Sequence, residues 1–298
     1  MIEDKVRIDN IKEDFLQENN IKLSILRLDL LHPEISGNKW FKLKYNIEEA
    51  MRYGQNTLLS FGGAFSNHLH AMAFACNQKK LNSIGIIRGE IPSVLSNTLQ
   101  DCISLGMRLE FVTRDDYKQK DKSFYIKKLA DKFGDFYLIP EGGNNRLGIK
   151  GCSKIPSFIS EKYDTICLPI GSSATMAGVL VGSQNHQKII GFSALKGTEY
   201  LQDDLKNSVL NFEFYNTNYS IKHEYHFGGF AKHKPELIQF MKQFKAKHNI
   251  ELDFIYTAKM MFGIYDLIKN GVIKKDSCIM AIHTGGLQGN RSLGNILN

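Results

Sequence analysis

Nowhere does this chain approach 18 consecutive apolar residues, and its amino terminus, MIEDKVRIDN, has no apolar run behind its positive charges. Neither a membrane span nor a secretory signal is expected. Cysteine occurs five times, at Cys76, Cys102, Cys152, Cys167 and Cys278, an odd number with no CxxC pair and no metal-type spacing. A disulfide framework and a zinc site are both unsupported, no metal is expected, and a reducing cytoplasm fits best. A basic stripe interleaved with aromatics is also missing. The 38 Lys and Arg exceed the 31 Asp and Glu to give a net charge of +7, but they are scattered along the chain. That distribution argues against nucleic acid as a partner, and a small anionic ligand accounts for the excess equally well. Internal repeats and low-complexity segments are absent too.

What remains is a regular alternation. Short apolar runs, TLLSF (57–61), SIGIIR (83–88), RLEFV (108–112), DFYLI (135–139), TICLPI (165–170), KIIGFSA (188–194) and SCIMAI (277–282), are bounded by turn residues and separated by helix-length amphipathic segments. This spacing predicts buried parallel strands with crossover helices, an α/β fold of open sheets covered by helices. One long aromatic segment, 212–236, is interrupted by glycines and reads as a loop that lines a site. In open α/β sheets ligands lie beyond the carboxyl ends of the strands, so the loops after the strands are where chemistry is expected.

Three such loops carry it. LPIGSSATMAG (168–178) ends a strand at Ile170 and opens a helix with Gly171, Ser172, Ser173, Ala174 and Thr175, so that backbone N–H groups and hydroxyls converge as a phosphate cup. It lacks the Lys of a Walker loop and the G-x-G-x-x-G of a dinucleotide fold, and an ordinary capped helix is its plainer reading. In LLSFGGAFSNHLHA (58–71), Ser66 and Asn67 take the N-cap region of the next helix, where free N–H groups can hold a carboxylate. His68 and His70 are two apart and share no helical face, which argues against a metal pair. AIHTGGLQGN (281–290) places Thr284 and a glycine turn at another strand end, although that hydroxyl could equally bond its own backbone.

SGNKWFKLKY (36–45) holds three lysines, Lys39, Lys42 and Lys44, and taken alone reads as a solvated basic helix start. Six ordered motifs change that. SGNKWFKLKY, SFGGAFSNHLH, IPEGGNNRLGIKG, LPIGSSATMAGV, DFIYTAKM and HTGGLQG resemble, over nearly the whole chain from about residue 30, pyridoxal-phosphate enzymes of the tryptophan-synthase-β type (fold type II). More narrowly they resemble the branch of 1-aminocyclopropane-1-carboxylate deaminase and D-cysteine desulfhydrase.

The resemblance implies pyridoxal 5'-phosphate as cofactor and Lys39 as the lysine that carries it, with Lys42 and Lys44 left as helix-face charges. An amine that attacks an aldehyde must be free base, which calls for a depressed pKa. Ser66 then lies near the reacting carbon of the substrate, Asn67 bonds the cofactor's ring oxygen, and His68, Tyr256 and the residue at Phe230 face the substrate, with Tyr256 catalytic. Gly171 to Thr175 form the phosphate cup, and Thr257 and Thr284 lie beside the cofactor. The deaminases carry Glu and Leu where this chain has Thr257 and Thr284, so the desulfhydrase pattern is the one matched. Two departures stand out: Phe230 replaces a second tyrosine, and Phe41 replaces a usual Arg.

The reading is a homodimeric lyase or hydrolase acting on a small amino acid by α-proton removal and β-elimination. Its large domain is expected over 1–45 and 158–298, with a smaller inserted α/β domain over 46–157. The alternatives are a true cyclopropane deaminase and a non-catalytic protein that binds pyridoxal phosphate or an amino acid.

Overall fold

The computed structural model describes residues 2–35 and 37–297. In chain order its strands and α-helices are β1 Ile8–Ile11, α1 Asp14–Glu18, β2 Lys22–Arg27, α2 Asn38–Arg52, β3 Thr57–Gly62, α3 Asn67–Lys79, β4 Asn82–Arg88, α4 Asn97–Ser104, β5 Met107–Val112, α5 Arg114–Tyr117, α6 Ser123–Phe133, β6 Tyr137–Ile139, α7 Arg146–Cys152, β7 Thr165–Ile170, α8 Ala174–Gly182, β8 Lys188–Ser193, α9 Leu201–Val209, β9 Tyr219–Lys222, α10 Pro235–His248, α11 Thr257–Lys269 and β10 Cys278–His283. They build two sheets, six-stranded in the order β1-β2-β10-β7-β8-β9 and four-stranded in the order β5-β4-β3-β6. Every pairing is parallel except that of β1 with β2.

All seven apolar runs form strands, within two residues at each end. Three further strands went unread for physical reasons. In β2 the apolar run is broken by Ser24 and Arg27, yet both are buried: the Ser24 hydroxyl donates to Asn10 Oδ1 and the Arg27 guanidinium pairs with Asp29 and Asp9. β1 is a largely exposed edge that only pairing with β2 orders. β9 sits inside the segment expected to be one irregular loop and is a half-buried edge strand.

Each sheet is covered on both faces. Met241 and Phe244 of α10 and Met260 and Ile264 of α11 pack with Ile25, Ile190 and Phe192 on one face of the larger sheet. Phe41 of α2 and the apolar face of α8 pack with Leu26, Leu168 and Ile282 on the other. On the smaller sheet, α3 and α4 bury Leu69, Met72 and Leu99 against Leu58, while α6 lays Tyr125 and Leu129 on Phe61 and Ile84. Burying each such side chain is worth about 1.5–3 kcal/mol.

α7 passes between α2 and α8, and the site depends on this crossing. A Cβ on Gly151 would stand 1.7 Å from the carbonyl oxygen of Phe41, and one on Gly178 would stand 2.3 Å from Cys152 Cβ. The three backbones therefore touch, which brings the first turn of α2 up to the amino end of α8. Gly151→Ala should push α2 outward, lowering stability by roughly 2–3 kcal/mol and weakening whatever the first turn of α2 holds. Thermal unfolding checks this, and an unchanged midpoint would contradict the contact.

Candidate active site

β7 ends at Ile170, and Gly171, Ser172 and Ser173 lead into α8. The hydroxyl of Ser173, the N-cap residue, caps nothing: it lies 3.2 Å from Asn144 Oδ1 and 3.2 Å from Ser208 Oγ. Among the described residues the first N–H groups of the helix thus have no side-chain cap and stay available to an anion at the positive end of the dipole. The ordinary-cap reading of this loop is not what the structure shows.

α2 delivers two amines to the same place. Lys42 is 2% exposed, and its Nζ donates to Gly142 O at 2.9 Å and Ser172 Oγ at 3.0 Å. Its expected place on a solvated helix face is overturned, because positions three apart share a face and the face carrying Lys39 turns inward. Lys44, by contrast, is an outward charge paired with Glu3 at 3.0 Å. Burial, and then the neighbouring Lys42 ammonium, push the Lys39 amine down to about 7, so that its free base is accessible near neutral pH. Lys42 is lowered by burial as well.

Asn38, in the turn that precedes the lysine, connects the lysine to the cup. Its Oδ1 accepts from Lys39 Nζ at 2.7 Å, and its Nδ2 donates to Thr175 Oγ1 at 2.7 Å. Gly37 seats this turn: at φ 69° its missing side chain would lie 1.8 Å from the carbonyl oxygen of Thr284. The Gly-Asn-Lys turn and the His-Thr-Gly-Gly turn, some 250 residues apart in the chain, are thereby brought into contact. Thr284 is buried, and no bond from its hydroxyl to its own backbone is found among the described residues. Phe41, in place of the usual Arg, is core, with its ring edge-on to Phe158 at 6.2 Å.

At the exit of β3, Ser66 caps α3 by accepting from Leu69 N at 3.2 Å, which leaves its hydroxyl proton free to donate. Asn67 Oδ1 accepts from Gln288 Nε2 at 2.9 Å. That bond fixes the amide so that Nδ2 is the group it offers. His68 is enclosed behind Gly143 and Lys42, with Nε2 3.0 Å from Ser60 Oγ and Nδ1 without a partner among the described residues. Burial, then Lys42 and Lys39, push its imidazole down to about 3, so it is neutral.

Across the cup, Tyr256 lies against Gly171, where a Cβ would meet the ring at 2.9 Å. Burial foremost, then Asp253 and Glu141, raise its phenol, which is therefore a neutral donor. Phe230 meets it edge-on with ring centroids 6.3 Å apart. Thr257 does not point a free hydroxyl into this space. Its Oγ1 donates to Asp253 Oδ2 at 2.7 Å and accepts from Asp253 N at 2.8 Å. The Asp253 carboxylate also accepts from the N–H groups of Ile255, Tyr256 and Thr257 and is fully buried. It closes the amino end of α11 in place of a conventional cap.

The chain matches the family model described as pyridoxal-phosphate dependent enzyme over residues 10–285. A relative from Thermotoga maritima, provisionally named a 1-aminocyclopropane-1-carboxylate deaminase, is 30% identical over 290 residues, covering 92% of this chain and 91% of its own. The bifunctional D-cysteine desulfhydrase/1-aminocyclopropane-1-carboxylate deaminase of Arabidopsis thaliana mitochondria is 29% identical over 305 residues, covering 91% of this chain and 74% of its own. A crystal structure described as an ACC deaminase homologue superposes with a TM-score of 0.83 at 26% identity, covering 98% of this chain and 93% of that one.

The residues present fit pyridoxal phosphate. A helix start with no side-chain cap and the buried Lys42 ammonium suit its phosphate, and the depressed Lys39 amine suits its aldehyde. Lys42→Met should therefore raise the Kd for pyridoxal phosphate by about 10- to 150-fold, the worth of a charge-assisted hydrogen bond. Binding of pyridoxal, which lacks the phosphate, should hardly change. An equal effect on both ligands, measured by titration, would contradict a phosphate role.

Proposed function

Because the chain belongs to the pyridoxal-phosphate-dependent enzyme family, we propose that it cleaves a small amino acid by α-proton removal and β-elimination, with D-cysteine or a similar β-substituted amino acid as substrate. Bound pyridoxal phosphate supplies an electron sink for the charge left at Cα. The protein does the rest. Lys39 Nζ, accessible as free base near neutral pH, would carry the cofactor and take the α-proton. The N–H groups from Gly171 to Thr175, the Ser172 hydroxyl and Lys42 would hold the phosphate. Asn67 Nδ2 would serve the ring oxygen, the Ser66 hydroxyl the reacting carbon, and the neutral phenol of Tyr256 would be a proton donor to the substrate. The bond broken joins Cβ to its leaving group, with no water attacking in that step, so the reaction class is lyase and not hydrolase.

The observation that carries the substrate reading is the state of Thr257. A glutamate at this place would put a carboxylate beside the ring nitrogen and keep it protonated. Here the one hydroxyl proton is committed to Asp253, whose oxygens are already filled by four donors. Departure of thiolate asks less of the ring than opening a cyclopropane, which has no comparable leaving group. Phe230 removes a further phenol from the same wall.

The smaller sheet's segment, 46–157, is read as a domain inserted between the lysine turn and the cup, since all four of its strands lie between 57 and 139. A homodimer rests on the resemblance, and a cytoplasmic location on five cysteines that are all unpaired.

Protein saturated with cofactor, assayed for keto-acid release, should turn over D-cysteine or β-chloro-D-alanine with a kcat/KM at least about a hundredfold above that for 1-aminocyclopropane-1-carboxylate, a gap near 2.7 kcal/mol. Equal or faster ring opening would overturn the argument from Thr257.

A further inference from the structure

Lys259, in the first turn of α11, is enclosed at 1% exposure. No carboxylate meets its ammonium: among the described residues its hydrogen-bond partners are two backbone carbonyls, Gly229 O at 2.8 Å and Ala194 O at 3.2 Å. Burial pushes the amine down to about 8, opposed by Asp253, so it is still charged at neutral pH. Enclosing such a charge is costly, and an apolar side chain of similar length would fill the space more cheaply.

The two carbonyls belong to segments that need holding. Ala194 follows β8, and its N–H donates to Ile170 O at 3.0 Å, at the entrance to the phosphate cup. Gly229 lies in the turn 227–231, where Phe227 (φ 51°), Gly228 (97°), Gly229 (115°) and Ala231 (52°) all take left-handed backbone. The two non-glycine residues are there at a cost of about 1–2 kcal/mol each. Between them stands Phe230, 37% exposed, with its ring against Tyr256.

We propose that Lys259 is a positioning residue for substrate selection: its ammonium ties the turn 227–231 to the end of β8, as a carbonyl-bound monovalent cation would, and so fixes Phe230 against Tyr256. The selection part rests on the reading of Phe230 and Tyr256 as substrate-facing. The clamp does not.

Hydrogen exchange of the cofactor-loaded protein tests it. In Lys259→Met, amides of 227–232 should exchange at least about tenfold faster, the effect of losing one charge-assisted hydrogen bond on local opening. Exchange in β7 and the visible absorbance of the bound cofactor should not change. Lys259→Gln keeps two N–H donors and should fall between the two, deciding the matter if the Met variant does not fold. In Lys259→Ala, ammonium or methylammonium ions should restore slow exchange. For whichever amino acid the enzyme accepts, KM should rise more than kcat falls. Wild-type exchange in a folded Met variant, or acceleration spread evenly through α11 and β8, overturns the clamp. If the clamp holds but Phe230→Ala leaves KM unchanged, the substrate-facing reading fails and the clamp stands.

Discussion

Buried Lys42 and half-buried Lys39 share one face of one helix turn, neither amine pairs with a carboxylate among the described residues, and the rest of the site is arranged around them. Among the described residues, Lys42 donates to a carbonyl and a hydroxyl, and Lys39 to the side-chain oxygen of its neighbour Asn38. Desolvation of this kind is tolerated where an anion completes the arrangement, and the amino end of α8, without a side-chain cap, points to the same anion. The helix contacts serve this end. Gly37 and Gly151 let the first turn of α2 lie against the backbone of Thr284 and let α2 lie against α7, which fixes the backbone that carries both amines.

The second organising feature is the buried carboxylate of Asp253. It closes α11, holds the backbone of Tyr256 and Thr257, and occupies the hydroxyl that the resemblance places beside the cofactor. A carboxylate is thus present within the site but spent on structure. Missing side chains at Gly286 bring Asn67 and Asp253 to the same spot, since a Cβ there would stand 2.8 Å from Asn67 Nδ2 and 3.5 Å from Asp253 Cγ. The proposed cofactor contacts and substrate wall are therefore coupled through a few atoms at the head of α11, and Lys259 in the same turn extends that coupling to Phe230.

Much of this was legible in the sequence. Parallel strands buried on both faces give continuous apolar runs, and all seven runs became strands. Loops after those strands carry Ser66, Gly171 to Thr175 and Thr284, as the topology requires. What stayed hidden depends on which way a side chain faces. The positions of Lys39 and Lys42 fix a shared helical face but not that it turns inward. Ser24 and Arg27 read as polar breaks in a strand because Tyr163, which bonds the Ser24 hydroxyl, lies far along the chain, and Asp9, which pairs with Arg27, comes from the neighbouring strand. The hydroxyl of Thr257 reads as free until Asp253, four residues earlier, is seen to hold it. Lys259 looks like a stray charge in an apolar helix until its two carbonyls are known.

Which of the two amines carries the cofactor is the claim on which the account turns. Borohydride trapping of pyridoxal phosphate on the protein, followed by peptide mapping by mass spectrometry, reads it directly. The account predicts the pyridoxyl label on Lys39, retained there in Lys42→Met. A label on Lys42, or one that vanishes with Lys42 while Lys39 stays intact, would contradict it.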